Sequence, residues 1–230
     1  ARENFEKSGF ADRITLIPGD AAEVLKTLDG PYDFIFMDAA KGQYIHFLPE
    51  VLRVLDKNGV LITDNVLQDG DIINVDCSTI LDGYYSDSSR MFCIGNVSPE
   101  KKRLVEITRQ SIEVGLKEVK PWNFLGDMGA AIHDFVRESG YSVVREIGGH
   151  GVGLQFHEEP WVSYVSERGT EMLMVPGMMF TIEPMVNMGK PDVFVDADDD
   201  WTVYTEDGKP SAQWEIQVLV TEDGYEIIAY

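Results

Sequence analysis

Residues 72–94 read IINVDCSTILDGYYSDSSRMFCI and carry the strongest structural signal in this chain. Two strand-like runs, residues 72–81 and 84–94, lie on either side of the dipeptide Asp82-Gly83. An Asp-Gly pair between two such runs is typical of a two-residue hairpin turn, because both residues tolerate positive φ. The stretch therefore predicts an antiparallel β-hairpin.

The hairpin brings two carboxylates close together. A two-residue loop sets Asp87 opposite Ser78, and Asp76 lies two residues from Ser78 on the same face. Asp76 and Asp87 are then diagonal neighbours, within reach of one shared ion. Like charges at that distance repel unless a cation or a proton lies between them. From the hairpin alone, a solvated strand face is a better interpretation than a metal site.

Further side chains suited to metal or acid–base chemistry follow along the chain. His150 lies within GGHGVG, where glycines let backbone approach a ligand closely, and His157 follows in FHEEP. Glu183 ends the apolar run FTIE, and Glu215 lies in the strand-like run WEIQV. Each of these side chains, taken singly, would also fit a structural or solvent-exposed role.

Together these motifs resemble the type I methionine aminopeptidases over about residues 71–230. The resemblance implies a pita-bread (creatinase/aminopeptidase-like) α+β domain that lacks its N-terminal elements and holds a dinuclear metal centre. The implied metal ligands are Asp76, Asp87, His150, Glu183 and Glu215. The segments that carry the resemblance are NVD at 74–76, GHGVG at 149–153, FHEEP at 156–160, FTIEPMV at 180–186 and SAQWE at 211–215.

The implied activity is the removal of N-terminal methionine from peptides and nascent proteins. Two Asp and two Glu ligands balance the charge of two divalent ions, and oxygen ligands with one imidazole suit Mn, Fe, Co or Zn. In that family, His157 binds substrate and stabilises the oxyanion, while Glu183 also shuttles a proton. Phe156 and Trp201 match residues that line the methionine pocket, although core packing would explain them equally well.

Residues 1–70 carry a different pattern, in which strands alternate with helices. Such alternation indicates an α/β segment with a parallel sheet. The expected elements are a strand at 14–17, a helix at 21–28, a strand at 32–37, a helix from 44 that Asn58-Gly59 caps, and a strand at 60–63. Beyond the hairpin we expect a helix starting at Ser98-Pro99, a second helix closed by Gly140, and then strands and glycine-rich loops.

This front segment resembles the cation-dependent class I O-methyltransferases of the catechol and caffeoyl-CoA type, whose fold is Rossmann-like. The matching segments are GDA at 19–21, FIFMDAAKGQY at 34–44 and DNVL at 64–67. The resemblance implies Mg²⁺ or Ca²⁺ on Asp38, Asp64 and Asn65. It also implies that Lys41 lies beside the acceptor hydroxyl and Asp20 near the adenine of S-adenosylmethionine. The family's glycine-rich donor loop and first two strands are missing, so we expect no useful donor binding.

We therefore expect a chimera, with a partial methyltransferase segment at 1–70 and an aminopeptidase-like catalytic domain at 71–230. The first expected function is a dinuclear metal aminopeptidase that its truncation impairs. The alternatives are an O-methyltransferase that uses S-adenosylmethionine and a divalent cation, and a non-catalytic metal-binding chimera. The chain opens at Ala1 without an initiator Met or a signal peptide, so we expect it to begin inside a longer sequence.

Composition argues against several classes of partner. The chain has 230 residues, 19 Lys and Arg against 40 Asp and Glu, and a formal net charge of −21. Such an acidic chain lacks the basic face of a nucleic-acid binder and the polybasic segment of a membrane anchor. Two cysteines, Cys77 and Cys93, are too few for a disulfide scaffold, which favours a reducing, cytoplasmic compartment. The oligomeric state stays open.

Overall fold

A computed structural model of the chain describes residue 7 and residues 11–37, 44–63, 68–197 and 200–230. The chain divides into two compact units, Ala1–Gln68 and Asp69–Tyr230. Among the described residues, no helix has the length and apolar character needed to cross a membrane. Cys77 and Cys93 are both free and exposed.

The first unit contains one β-α-β crossover. A 3-10 turn at Ala11–Arg13 precedes α1 (Ala21–Lys26), β1 (Tyr32–Met37), α2 (Tyr44–Val54) and β2 (Leu55–Thr63). β1 and β2 pair in parallel and end side by side at Met37 and Thr63. α2 buries Val51 and Val54. The alternation of strand and helix thus leads to the expected parallel pairing.

The expected strand at residues 14–17 is wrong. This segment has no regular structure, and Ile14, Leu16 and Ile17 are exposed. A strand needs a neighbour for its backbone hydrogen bonds. Within the described part of the first unit, β1 and β2 pair only with each other, so the apolar run has no strand beside it.

The expected helix cap at Asn58-Gly59 is also wrong. α2 ends at Val54, and both residues lie inside β2. The pairing of β1 with β2 shifts register between Tyr32 and Phe34. A Cβ at Gly59 would lie 2.9 Å from the backbone oxygen of Tyr32. The glycine therefore serves the close approach of two strands and not a helix end.

The hairpin of the second unit has the predicted register. It consists of β3 (Ile72–Asp76), β4 (Thr79–Leu81), β5 (Tyr84–Ser86) and β6 (Ser89–Cys93). β4 pairs with β5 and β3 pairs with β6, so that Asp76 lies opposite Ser89. Asp82 and Gly83 have φ of 51° and 88°, as a turn with two positive φ angles requires. The ladder is interrupted between β5 and β6, at Asp87.

Two helices pack against each other, α3 (Pro99–Leu116) and α4 (Leu125–Glu138). The Ser98 hydroxyl accepts a hydrogen bond from the Lys101 N–H at the start of α3, as expected for an N-cap. α4 ends just before Gly140, whose φ is 90°. The helices supply much of the hydrophobic core through Leu104, Ile112, Leu125, Met128, Ile132 and Val136.

The remaining strands of the second unit form small antiparallel sheets. They are β7 (Ser142–Val143), β8 (Gly149–Gly151), β9 (Glu158–Val162), β10 (Met179–Ile182), β11 (Met185–Asn187), β12 (Val193–Val195), β13 (Val203–Thr205), β14 (Ser211–Gln213), β15 (Ile216–Val220) and β16 (Tyr225–Ala229). One sheet has the order β16-β15-β10-β8-β9, a second has the order β14-β11-β7, and β12 pairs with β13. β8 therefore lies between β9 and β10.

The glycines around His150 allow a close fit between neighbouring strands. A Cβ at Gly149 would lie 2.5 Å from the backbone oxygen of Thr181 on β10. A Cβ at Gly151 would overlap the backbone oxygen of Glu159 on β9. β8 fits this tightly between its neighbours because it is built from glycine on both sides of the histidine.

Candidate metal centre

Five side chains with metal-ligating groups converge in the second unit. They come from separate elements: Asp76 ends β3, Asp87 lies between β5 and β6, His150 is the middle of β8, Glu183 follows β10, and Glu215 lies between β14 and β15. The first four line a cavity of about 920 Å³. Glu215 offers an oxygen within 4.8 Å of ligand atoms from Asp87 and His150.

A short set of backbone and amide contacts docks the hairpin onto the other strands of the site. Ser89 and Glu215 form an isolated antiparallel bridge, with N···O distances of 3.3 and 3.0 Å. The Asn74 side chain donates to the Ser89 hydroxyl at 3.0 Å and to the backbone oxygen of Gln213 at 2.9 Å. The bridge and the bond from Asn74 to Gln213 join residues more than a hundred positions apart, so the two aspartates reach the two glutamates only in the folded chain.

The spacing of the ligand atoms suits a shared ion. His150 Nε2 lies 3.7 Å from Asp87 Oδ2 and 3.5 Å from Glu183 Oε1. Ligand atoms that share one ion at about 2.0–2.2 Å lie roughly 3–4 Å from each other. The Asp76 and Asp87 carboxyl groups line the same cavity.

The environment of His150 prepares one ring nitrogen to act as a ligand. Nδ1 lies 2.9 Å from the backbone oxygen of Gly151, which assigns the ring proton to Nδ1. The Nε2 lone pair then faces the carboxylates of Asp87 and Glu183. Burial lowers the pKa of the imidazole, with a further contribution from His157. A neutral imidazole held through its other N–H is the usual form of a metal-bound histidine.

Crowding and burial raise the pKa values of three carboxyl groups in the site, those of Asp76, Glu183 and Glu215. Burial and the charge of Asp87 raise the pKa of Asp76 to about 6, and burial chiefly raises the pKa of Glu183 to about 8. Burial and the neighbouring acids raise the pKa of Glu215 to about 10. Glu215 is 1% exposed, and neither of its carboxylate oxygens has a hydrogen-bond partner in the described part of the chain. Cations bound between these groups would coordinate the two Glu215 oxygens and would offset the repulsion between the carboxylates. The residues therefore fit a metal centre.

Several supporting residues were not predicted from the sequence. The Thr181 hydroxyl donates to Glu183 Oε1 at 2.7 Å, and the Gln213 amide donates to Glu183 Oε2 at 3.0 Å. The Asp87 N–H donates to Gln217 Oε1 at 3.1 Å. Strand periodicity could have predicted them, because residues two positions apart in a strand lie on the same face. Thr181 comes two residues before Glu183, and Gln213 and Gln217 lie two residues before and after Glu215.

The residues expected to bind substrate surround the same cavity. The His157 ring lies against the His150 ring, with centroids 4.3 Å apart and planes at 82°, and Phe156 packs on His157 at 4.2 Å. Trp201 lines the cavity and is 85% exposed, so it is not a core residue. Histidine and aromatic side chains therefore form a wall next to the carboxylates.

Of the five residues expected to form a methyltransferase site, the structure describes Asp20 alone. Asp20 is the N-cap of α1, where its Oδ1 accepts a hydrogen bond from the Ala22 N–H at 2.8 Å. This helix cap accounts for the aspartate without a ligand. The other four expected residues, Asp38, Lys41, Asp64 and Asn65, lie outside the described residues.

Comparison with known proteins identifies relatives of this chain. Residues 26–222 match the model of metallopeptidase family M24. The chain is 46% identical over 171 residues to methionine aminopeptidase B of Synechocystis sp., covering 74% of this chain and 62% of the relative. It is also 46% identical over 171 residues to methionine aminopeptidase of Escherichia coli K12, covering 74% of this chain and 64% of that one. The crystal structure of methionine aminopeptidase from Rickettsia prowazekii superposes with a TM-score of 0.69 and 43% identity, over 70% of this chain and 65% of that one.

These relatives carry the pita-bread fold expected for residues 71–230, which the comparison therefore confirms. The family match begins at residue 26, inside the front segment, and the methyltransferase resemblance of residues 1–70 receives no support from the relatives. The chain spans less than two thirds of the length of the first of these relatives. It belongs to metallopeptidase family M24.

Proposed function

We propose that this chain carries the catalytic centre of a dinuclear metal-dependent aminopeptidase that removes N-terminal methionine from peptides. The observation that supports it best is the convergence of five candidate ligand side chains from separate segments of the second unit, among them the buried Glu215 carboxylate, whose oxygens have no hydrogen-bond partner among the described residues. The relatives named methionine aminopeptidase, at 43–46% identity, support the choice of substrate.

We assign the two ions to Asp76, Asp87, His150, Glu183 and Glu215, and keep Mn, Fe, Co and Zn as candidates. Bound there, two divalent ions would polarise the scissile carbonyl and lower the pKa of a water molecule. Glu183 has both oxygens held by hydrogen bonds from Thr181 and Gln213, so its carboxyl has a fixed direction for moving a proton toward the leaving amine. His157 lies against the His150 ring at the cavity wall, where its ring N–H is proposed to donate to the substrate carbonyl.

The cavity suggests how an N-terminal methionine would be recognised. Acidic groups line one side, which favours a free α-amino group over the neutral amide of an internal peptide bond. Phe156, Trp161, Met185 and Trp201 supply apolar lining for an unbranched thioether side chain. Peptide and nascent-protein N-termini are therefore the proposed partners.

Hydrolysis of a Met-Ala-Ser peptide by the full chain tests this function. With added Mn²⁺ or Co²⁺, we expect release of free methionine. Glu215→Gln should lower the rate about 100-fold or more, because an amide cannot replace a buried anionic ligand. Glu226→Gln, an exposed carboxylate on β16, is the matched control and should behave as wild type. Absence of free methionine from the wild type across a range of metal concentrations would contradict the proposal.

We also propose that residues 1–70 are a partial methyltransferase-like segment without a working donor site. The parallel pairing of β1 with β2 around α2 supports such an α/β origin. Isothermal titration of the full chain with S-adenosylmethionine should show no binding at micromolar concentrations, since ordering a small ligand costs several kcal/mol and Asp20 is already engaged as a helix cap. Micromolar or tighter binding would restore the methyltransferase alternative.

The proposed compartment is the cytoplasm. Its support is the presence of two free cysteines in an acidic chain.

A further inference from the structure

We infer that Tyr164 is a positioning residue for the metal centre, whose phenol oxygen holds the backbone of Glu183 and the strand that carries His150. The inference rests on the proposed function, because it takes Glu183 and His150 as metal ligands. Tyr164 lies outside every motif from which the site was predicted, and it is not among the residues that line the cavity. It therefore acts through the ligands and not on the substrate.

The Tyr164 hydroxyl is fully engaged with backbone groups. The side chain is 2% exposed. Its oxygen accepts a hydrogen bond from the Glu183 N–H at 2.6 Å and donates to the backbone oxygen of Thr181 at 3.4 Å. One phenol thus bridges the two backbone groups on either side of Ile182, where β10 ends.

Glu183 needs such a contact because it lies beyond the strand ladder. β10 pairs with β15 as far as Ile182, which lies opposite Ile216. Glu183 comes next and is followed by Pro184, so the Glu183 N–H has left the sheet while it is still buried. The phenol oxygen takes the place of a neighbouring strand's carbonyl. The direction of the Glu183 side chain follows from where this N–H is held.

The same oxygen also lies against β8. A Cβ at Gly149 would overlap the Tyr164 hydroxyl, so the phenol occupies the space that any other residue at position 149 would need. His150 follows directly, and its N–H donates to the Thr181 hydroxyl at 3.0 Å. The Tyr164 hydroxyl therefore lies against Gly149, next to one ligand, and contacts the backbone of another, Glu183.

The separation of the two ligand atoms depends on this arrangement. His150 Nε2 and Glu183 Oε1 are 3.5 Å apart, and a shift of either backbone would change that distance directly. Partners that orient metal ligands are typically worth about 10–100-fold in metal affinity. A tyrosine that only filled the core would change thermal stability and leave metal affinity alone.

The test compares the full-length wild type with Tyr164→Phe and with the control Tyr141→Phe, whose ring also packs against the core. Calorimetric titration of the metal-free proteins with Mn²⁺ measures stoichiometry and affinity. Hydrolysis of Met-Ala-Ser at saturating Mn²⁺ measures kcat and KM. We expect an affinity about 10–100-fold weaker for at least one ion in Tyr164→Phe alone, with a lower kcat and an unchanged KM. Equal affinities in all three proteins would overturn the inference.

The outcomes separate this inference from the function on which it rests. A wild type that binds no Mn²⁺ overturns both, whereas a wild type that binds Mn²⁺, releases methionine and is matched by Tyr164→Phe overturns the inference alone. Should circular dichroism show that Tyr164→Phe does not fold, Tyr164→3-fluorotyrosine keeps the shape and weakens the acceptor oxygen. Weaker Mn²⁺ binding by the fluorinated protein supports the inference, and unchanged binding overturns it.

Discussion

Two neighbouring histidines meet different requirements in this site. His150 has one ring nitrogen held by the Gly151 carbonyl and the other turned toward Asp87 and Glu183. The His157 ring stands edge-on to it at 4.3 Å and faces the cavity. The first histidine faces two carboxyl groups and the second packs against aromatic rings, so we expect different consequences from the loss of each side chain.

Alanine substitution of the two histidines separates these roles. His150→Ala should lower Mn²⁺ affinity by at least about tenfold, because a metal ligand is lost. His157→Ala should leave Mn²⁺ stoichiometry unchanged and lower kcat by about 10²–10³, as the loss of one oxyanion donor does. Calorimetry and peptide hydrolysis on the same preparations measure both effects. Equal stoichiometry and equal activity in both variants and wild type would contradict the assignment.

At the level of elements, the hairpin is the part of the site that depends most on local backbone conformation. Its turn holds Asp82 and Gly83 at positive φ, and the register that follows brings the Ser78 hydroxyl to 2.8 Å from Asp87 Oδ1. Apart from its two chain neighbours, no described residue has an atom within 4 Å of a Cβ placed on Gly83. A side chain at this position therefore meets backbone strain and no steric overlap.

Substitution of Gly83 tests that dependence. Gly83→Val should destabilise the protein by about 1–3 kcal/mol, because a β-branched residue strongly disfavours φ of 88°. Gly83→Asn is the matched control and should cost less, since asparagine tolerates this conformation. Urea unfolding measures both. A valine variant as stable as the asparagine variant would show that the turn does not carry the positive φ described.

In the front unit, the paired strands β1 and β2 leave apolar side chains exposed. β1 and β2 form a two-stranded sheet, and Phe34, Phe36, Val60 and Ile62 on these strands are all about half exposed. Two strands alone are marginally stable in water. The apolar surface is therefore a contact or aggregation hazard.

For the whole molecule, the buried acids predict an unusual pH dependence of the metal-free form. The pKa of Glu183 is raised to about 8 and that of Glu215 to about 10, mainly by burial, from ordinary values near 4.5. Between pH 7 and pH 9 the folded chain thus retains protons that the unfolded chain has released. Stability therefore falls as pH rises through this window. Because the pKa of His150 is lowered, this histidine affects stability only at more acidic pH and does not contribute to the change between pH 7 and pH 9.

Thermal and urea unfolding in a chelator should reveal this slope. We expect the metal-free wild type to lose about 1–3 kcal/mol of unfolding free energy between pH 7 and pH 9. Glu215→Gln should flatten the slope, which separates the buried carboxylate from the general repulsion of a chain with net charge −21. Saturating Mn²⁺ should reverse it, because ions bind the deprotonated ligands. A slope that is the same in wild type and Glu215→Gln would refute the role of Glu215.

Local sequence is sufficient for the hairpin, the start of α3, the end of α4 and the parallel pairing in the front unit. Turn type, capping and strand register depend on residues that are near neighbours in the chain, such as Asp82 with Gly83 and Ser98 with Pro99. The motifs also named the five side chains that the fold brings together. Their individual patterns were ambiguous, and it was their combination that pointed to one family.

Long-range packing accounts for what local sequence left open or misread. The run at 14–17 needed a partner strand that the described chain does not supply, and the glycines beside His150 were set by the closeness of β9 and β10. The bridge between Ser89 and Glu215 and the bond from Glu183 to Tyr164 join residues that no local pattern connects. Such contacts depend on which distant segments meet, because a buried polar group takes whichever partner the fold brings to it.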